Sequence, residues 1–395
     1  MKFFSVGDMR NPQESKMDRK FVIPFNRPFI SGREKEYLEA VFETGHFAGN
    51  GPFTKRCQTW LEDHLGATKV LLTHSCTGAL ELASLLADIG PDDEFIVPSF
   101  TFVTTASAFM RTGAKPVFCE VDPTTMLMNL DDVEKRITSR TKAIIPVDYA
   151  GFAPDMDRLS RLAEENDLIV IEDAAQGLGS SMQGTSLGTF TPMAALSFHE
   201  TKNIHCGLGG CLVVNDVALS DRAEIIWERG TNRSAFFKGL VDKYSWVELG
   251  SSFYPSEFQA AFLLAQLEAM EENLIHRRMI WNGYADSLSG YEQKGDIQIL
   301  RPPSGLNHNA HMFAIFLPTP QKADSVRQQL GDQGVQAVIH YVPLHESAMG
   351  AELGYAADDL PVTTHAASCL LRLPMHAELE MEDVSLIADI LSAIL

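Results

Sequence analysis

Two periods of apolar residues alternate along this chain. Short runs rich in Val, Ile and Leu occur at KVLLT (69–73), EFIVP (94–98), KPVFCEV (115–121), KAIIPVDY (142–149) and LIVIED (168–173). Between them lie helix-period stretches such as TGALELASLLADIG (77–90) and MDRLSRLAEEN (156–166). This strand–helix–strand order predicts an α/β fold whose mostly parallel sheet is covered on both faces. Ahead of it, Ser31-Gly-Arg-Glu34 has capping-box spacing, so a helix is expected from there to near Gly45, and a second from about Thr54 to His64. The run 256–290 predicts one long helix. Beyond it IQILRP, HMFAIFLP and AVIHYVP predict strands, with helices at about 321–332 and 381–394. The expected organisation is a polar leader over 1–20, a large domain over 21–265 and a smaller C-terminal α+β domain over 266–395.

Composition narrows the function. A chain of 395 residues that is 45% hydrophobic has ample material for a core, which excludes wholesale disorder. The formal net charge of −20 argues against nonspecific nucleic-acid binding, although a few local donors can still hold an anionic small molecule. The 6 cysteines include no C-x-x-C pair, so a reduced, cytoplasmic setting is expected rather than a disulfide scaffold. The first twenty residues lack the apolar stretch of a secretory signal, and no apolar run approaches the roughly 18 residues of a membrane span. No His, Cys and carboxylate grouping has metal-ligand spacing.

In a parallel sheet, ligands bind beyond the carboxyl ends of the strands, so the residues just after each strand carry the chemistry. LIVIE is followed by Asp173, which can pair with a cationic heterocycle; the plain alternative is a cap for the next helix. AALSFHETKN runs from a short strand into Ser197 and Lys202. A lysine after a buried strand can lose solvation and form a Schiff base with an aldehyde, or it can be an ordinary surface lysine. Thr73-His-Ser75-Cys76-Thr77-Gly78 joins a strand to a helix and offers an anion site, although Ser and Thr begin many helices. Pro98-Ser-Phe-Thr-Phe102 could set an aromatic face over a planar ring, or bury both phenylalanines. Together these four segments are the parts needed to hold pyridoxal 5′-phosphate. A Rossmann dehydrogenase would need G-x-G-x-x-G opening a helix after the first strand, and that pattern is absent.

The same segments in the same order resemble the sugar-aminotransferase family of the DegT/DnrJ/StrS type, within the fold-type I pyridoxal-phosphate enzymes. VPSFTFV, VDYAG, VIEDAAQ, SFHETKN, GGCLVVND, RGTNRS, NAHMF, IHYVPLH and LLRLPM carry the likeness from about Ile23 onward. It implies that Lys202 holds the cofactor and shuttles protons, and that Asp173 keeps the pyridine nitrogen protonated. It further implies that Gln176 donates to the phenolic oxygen, Phe102 stacks on the ring, and Thr77, Ser75, Ser197 and the Cys76 N–H bind the phosphate. Where many relatives place an Asn from a second subunit, this chain has Tyr254, so that contact does not carry over.

The implied reaction moves an amino group from L-glutamate, released as 2-oxoglutarate, to a nucleotide-linked keto sugar. The likeness is greatest to members that aminate C4 of dTDP-4-keto-6-deoxy-D-glucose, giving dTDP-4-amino-4,6-dideoxy-D-galactose for O-antigen or another surface glycan. Alternatives are the gluco epimer, a GDP- or UDP-linked sugar, or a regulatory homologue that binds the cofactor without turnover. Arg233, Lys243 and Tyr244 are candidates for the substrate diphosphate and His340 for the sugar, in a homodimer with shared active sites.

Overall fold

The computed structural model describes residues 22–395; the leader expected over 1–20 lies outside the described residues. Strands β1 (Lys69–Thr73), β2 (Glu94–Pro98), β3 (Lys115–Cys119), β4 (Thr141–Ile144) and β5 (Ile169–Asp173) come first. A short hairpin, β6 (Ser181–Met182) and β7 (Thr185–Ser186), leads to β8 (Met193–Ser197) and β9 (Gly210–Val214). Seven of these form one sheet in the order β1-β9-β8-β5-β4-β2-β3. Only β9 opposes its neighbours; the remaining pairs are parallel. Parallel neighbours need a crossover, and helices Val103–Met110 and Met156–Glu165 supply those from β2 to β3 and from β4 to β5.

Side-chain alternation sorts the sheet into two buried faces. Leu71, Phe95, Val97, Ile171, Met193 and Leu212 pack on one side beneath helices Cys76–Leu86, Val103–Met110 and Ser220–Trp227. Val70, Leu72, Leu196 and Val213 face the other side, against helices Pro52–Leu65 and Glu257–Glu268. This is the three-layer architecture expected from the apolar periodicity.

Several local expectations change in detail. Glu34 reaches back to the Ser31 N–H at 2.7 Å, but the helix begins at Glu34 itself, after Arg33. The run 142–149 leaves regular strand geometry at Ile144, because Pro146 has no N–H for the ladder. AVIHYVP forms only an isolated bridge between Val338 and Arg372, since Tyr341 adopts φ 50° and turns the chain. The single helix expected over 256–290 is two, Glu257–Glu268 and Met270–Lys294, separated at Ala269. The break serves packing: Leu264, Leu267, Met270 and Leu274 join the core of the central sheet, whereas Ile280, Trp281, Tyr284 and Leu288 join a separate C-terminal core.

That second core lies on an antiparallel sheet of β10 (Gln298–Ile299), β12 (Phe313–Phe316) and β13 (Leu370–Leu373), while β11 (Leu306–Asn307) pairs with β6. Phe313, Ile315, Leu371 and Leu373 point into the C-terminal core, and Ala314, Phe316 and Leu370 point toward the central one. We propose that the chain divides into two domains where these cores meet, inside helix Met270–Lys294.

Helix Pro52–Leu65 has no side-chain cap of its own. The fully buried Glu257 does that work, accepting the N–H groups of Gly51, Phe53 and Thr54 at 3.0, 2.7 and 3.2 Å, together with the Thr54 hydroxyl. Its removal leaves those donors buried without an acceptor. Glu257→Ala is expected to cost about 3 kcal/mol or more of stability. Thermal unfolding checks this; a midpoint equal to that of the parent contradicts it.

Candidate active site

The chain crosses the carboxyl edge of the sheet four times in quick succession, after β1, β2, β5 and β8. Their residues meet at a cavity of about 600 Å³. Ser75, Cys76, Thr77, Phe102, Asp173, Gln176, Ser197, Lys202 and His340 all line it. A larger surface groove of about 720 Å³ near Asp122, Asn129 and Arg158 holds none of these groups.

One glycine makes the anion end of the cavity possible. Gly210 opens β9 and sits in register between Thr73 of β1 and Ser197 of β8. A Cβ there would collide with the Cys76 amide nitrogen. Its absence lets the Ser75–Cys76 turn lie directly over the sheet edge, beside Ser197. Ser75 caps helix Cys76–Leu86 by accepting the Gly78 N–H at 3.0 Å. The open N–H groups of that first turn and the helix dipole favour an anion.

Asp173 ends β5 almost entirely buried. The Thr105 hydroxyl donates to its Oδ2 at 2.7 Å and the Ala175 N–H to its Oδ1 at 3.2 Å. Burial pushes the carboxyl above its ordinary pKa, while those two donors and the positive charge of Lys202 oppose the shift. A buried acid held this way gains most from a cationic partner. Lys202, in the turn after β8, is driven the other way. Burial lowers its amine to about 8, against the attraction of Cys76 and Asp173, and Arg372 adds to the lowering. The amine is thus partly neutral, and nucleophilic, near physiological pH.

Gln176 has its orientation fixed. Its Oε1 accepts the Ala150 N–H at 2.7 Å, so its Nε2 donor is left toward Tyr341 Oη at 3.5 Å and the cavity. Phe102 is 53% exposed at the start of helix Val103–Met110, so its ring is available as a face rather than lost to the core. His340 bonds through Nδ1 to Tyr149 Oη at 2.9 Å, and burial holds its pKa well below the usual value, so it stays neutral.

Three expected substrate contacts lie elsewhere in the described chain. Arg233 pairs with the buried Glu228 at 3.1 Å, and neither it, Lys243 nor the exposed Tyr244 lines the cavity. Tyr254 packs against Trp227 with Arg229 over its ring at 4.8 Å. Thr105, His311, Tyr341 and Arg372 were not singled out from sequence, yet all four line the cavity. The last three belong to NAHMF, IHYVPLH and LLRLPM, so their position beside family segments was the available signal.

A buried carboxylate for a ring nitrogen, an amide donor for a phenolic oxygen, a helix N-terminus for a phosphate and a desolvated lysine for an aldehyde fit pyridoxal phosphate group by group. The fold and this donor set define a fold-type I pyridoxal-phosphate enzyme. A family profile for the DegT/DnrJ/EryC1/StrS aminotransferases matches residues 28–392, and the chain belongs to that family. It is 31% identical over 378 residues to dTDP-4-dehydro-2,3,6-trideoxy-D-glucose 4-aminotransferase of Saccharopolyspora spinosa, covering 93% of this chain and 95% of that one. It is 36% identical over 324 residues to UDP-N-acetyl-3-dehydro-alpha-D-glucosamine 3-aminotransferase of Acidithiobacillus ferrooxidans, covering 80% and 82%. Spr1654 of Streptococcus pneumoniae, assigned as a sugar aminotransferase and solved in its PMP form, superposes with a TM-score of 0.88 at 25% identity, over 94% and 98% of the chains. The family is one of pyridoxal-phosphate-dependent sugar aminotransferases, and both curated relatives named here carry the names of nucleotide-sugar aminotransferases. No helix among the described residues is long and apolar enough to cross a membrane.

A lysine of pKa about 8 sets a pH dependence. Only its neutral form attacks an aldehyde, so cofactor uptake by the apoprotein should speed up as pH rises through about 8 and then level off. Stopped-flow absorbance after mixing with pyridoxal phosphate measures this. A rate still climbing steeply above pH 10 contradicts the assignment.

Proposed function

We propose that this protein transfers an amino group from L-glutamate to C4 of a nucleotide-linked 4-keto-6-deoxy sugar, with dTDP-4-keto-6-deoxy-D-glucose as acceptor and the galacto-configured amine as product. The observation that carries the aminotransferase reading is the meeting of Lys202 and Asp173 in one cavity. The choice of acceptor rests on the likeness of PSFTFV, SFHETKN, GTNRS and NAHMF to members of that specificity.

When bound, pyridoxal phosphate supplies an electrophilic aldehyde and a ring that withdraws electrons from the carbon bearing the amine. The chain's residues do the rest. Asp173 holds the proton on the pyridine nitrogen, Ser75, Thr77, Ser197 and the Cys76 N–H hold the phosphate, and Gln176 Nε2 and the Phe102 ring fix the plane. With the cofactor bound, Lys202 Nζ would be the base that takes up and returns a proton at the substrate carbon. Its pKa of about 8 suits both directions of that transfer.

Exposed apolar side chains support a homodimer. Phe237, Leu240, Trp246 and Leu249 are each at least 67% exposed in the segment that also carries Arg233, Lys243 and Tyr244. Docked on a second copy, that segment would cover its apolar surface and carry those polar groups toward the neighbouring cavity. The 6 cysteines are all free, in keeping with a cytoplasmic enzyme.

Lys202→Ala should abolish turnover and the visible absorbance of the purified protein. Asp173→Asn should slow both half-reactions by roughly a hundredfold or more while retaining some cofactor. Unchanged rates in either variant contradict these roles. For the acceptor, the enzyme is incubated with glutamate and dTDP-, UDP- and GDP-linked keto sugars, and the products are assigned by NMR. Amination of the dTDP 4-keto sugar to the axial amine is expected; exclusive use of another sugar overturns the proposed acceptor.

A further inference from the structure

Two acids stand behind the cofactor cavity with no base between them. Asp148, in the turn after β4, and Glu172, next to last in β5, are completely buried and face each other. Glu172 and Asp173 are consecutive in their strand, so Asp173 turns to one side of the sheet and Glu172 to the other. Glu172 Oε1 accepts the Gly188 N–H at 2.7 Å. Its Oε2 and both oxygens of Asp148 are sealed from solvent and meet no donor among the described residues. The chain leaves room for this arrangement, since a Cβ on Gly177 would stand 2.9 Å from Asp148 Oδ2.

With both acids ionised, two like charges would face each other without water and with three oxygens unmatched. Among the described residues the charged groups that act on Asp148 are Glu172 and Asp173, both acids, so no cation relieves the repulsion. One proton resolves the geometry, as a hydroxyl on Asp148 that donates to Glu172 Oε2. Glu172 is the ionised member, because the Gly188 N–H already donates to it and no described residue donates to Asp148.

We propose that Asp148 and Glu172 share a single proton and thereby position Asp173 and Gln176 for the cofactor ring. The role of those two residues rests on the aminotransferase reading given above; the shared proton does not. The turn that carries Asp148 is bonded to both of them. Its Asp148 N–H donates to Asp173 O at 3.0 Å, and its Ala150 N–H donates to Gln176 Oε1 at 2.7 Å. A proton kept on Asp148 also lets Asp173 stay ionised opposite a cationic ring. With Asp148 gone, Glu172 and Asp173 compete for a proton, and an Asp173 that holds one no longer matches a pyridinium.

Infrared spectroscopy at pH 8 looks for the proton directly, since ordinary carboxyls with pKa values of about 4 are ionised there. The holoenzyme spectrum of the parent minus that of Asp148→Asn should show a carboxylic C=O band, because the amide replaces the hydroxyl as donor. A difference spectrum without that band overturns the inference. Unfolding in urea gives an independent reading. Native Asp148 keeps its proton above the pH at which the unfolded chain releases it, so the parent loses stability as pH rises through that window. Asp148→Asn has no such proton. Its folding equilibrium constant should therefore gain on the parent's by up to about tenfold per pH unit between about pH 6 and 8. A ratio that does not change with pH also overturns the inference. Titration of the apoproteins with pyridoxal phosphate tests the positioning. Asp148→Ala should bind it about tenfold more weakly than the parent, and Asp148→Asn should recover most of that loss. Equal affinity in Asp148→Ala and the parent contradicts the positioning role. If all three results hold but no keto sugar is aminated, the inference stands and the aminotransferase reading falls.

Discussion

A carboxylate and an amine, both withdrawn from water at the edge of one sheet, set the character of this molecule. Burial disfavours the charged form of each, raising the pKa of Asp173 and lowering that of Lys202. Neither is quenched by a tight ion pair with the other. Asp173 is instead kept in place by Thr105 and the Ala175 N–H, and Lys202 by its turn, whose N–H bonds to His199 O at 2.8 Å. The site is therefore preorganised for a ligand that is cationic at one end and electrophilic at the other. Pyridoxal phosphate has that pattern.

The rest of the fold makes this arrangement possible. Parallel strands deliver the ends of β1, β2, β5 and β8 to the same edge, and the single reversed strand, β9, begins with the glycine that lets the β1 turn settle against the sheet. The bend at Ala269 then allows one pair of helices to serve the central core and the C-terminal sheet in turn. The C-terminal sheet contributes Arg372 directly, and the turn beside it contributes His340 and Tyr341, so the cavity closes only where the two cores meet.

Much of this was legible in the sequence because it depends on local pattern. Each of β1 to β5 was marked by a short apolar run, and Asp173, Ser197 and Lys202 follow strands at spacings that strand ends impose. What was not legible depends on conformation or on distant contacts. The left-handed φ of Tyr341 converts an apparent strand into a turn, and tyrosine gives no warning of it. The helix break at Ala269 lacks a proline or glycine and arises from packing against two cores. Thr105 meets Asp173 from 68 positions away, and Arg372 reaches the site through strand alternation in a different sheet. Arg233, Lys243 and Tyr244 were chosen for charge and for their family segments, and their distance from the cavity within one protomer is a matter of tertiary path.

The central assertion is that the cofactor is joined to the chain at position 202 and nowhere else. Borohydride treatment of the purified protein, followed by peptide mass spectrometry, tests it most directly. A pyridoxyl mass increment on the peptide containing Lys202 is the predicted result. Finding that peptide unmodified, or the increment on another lysine, would contradict the account.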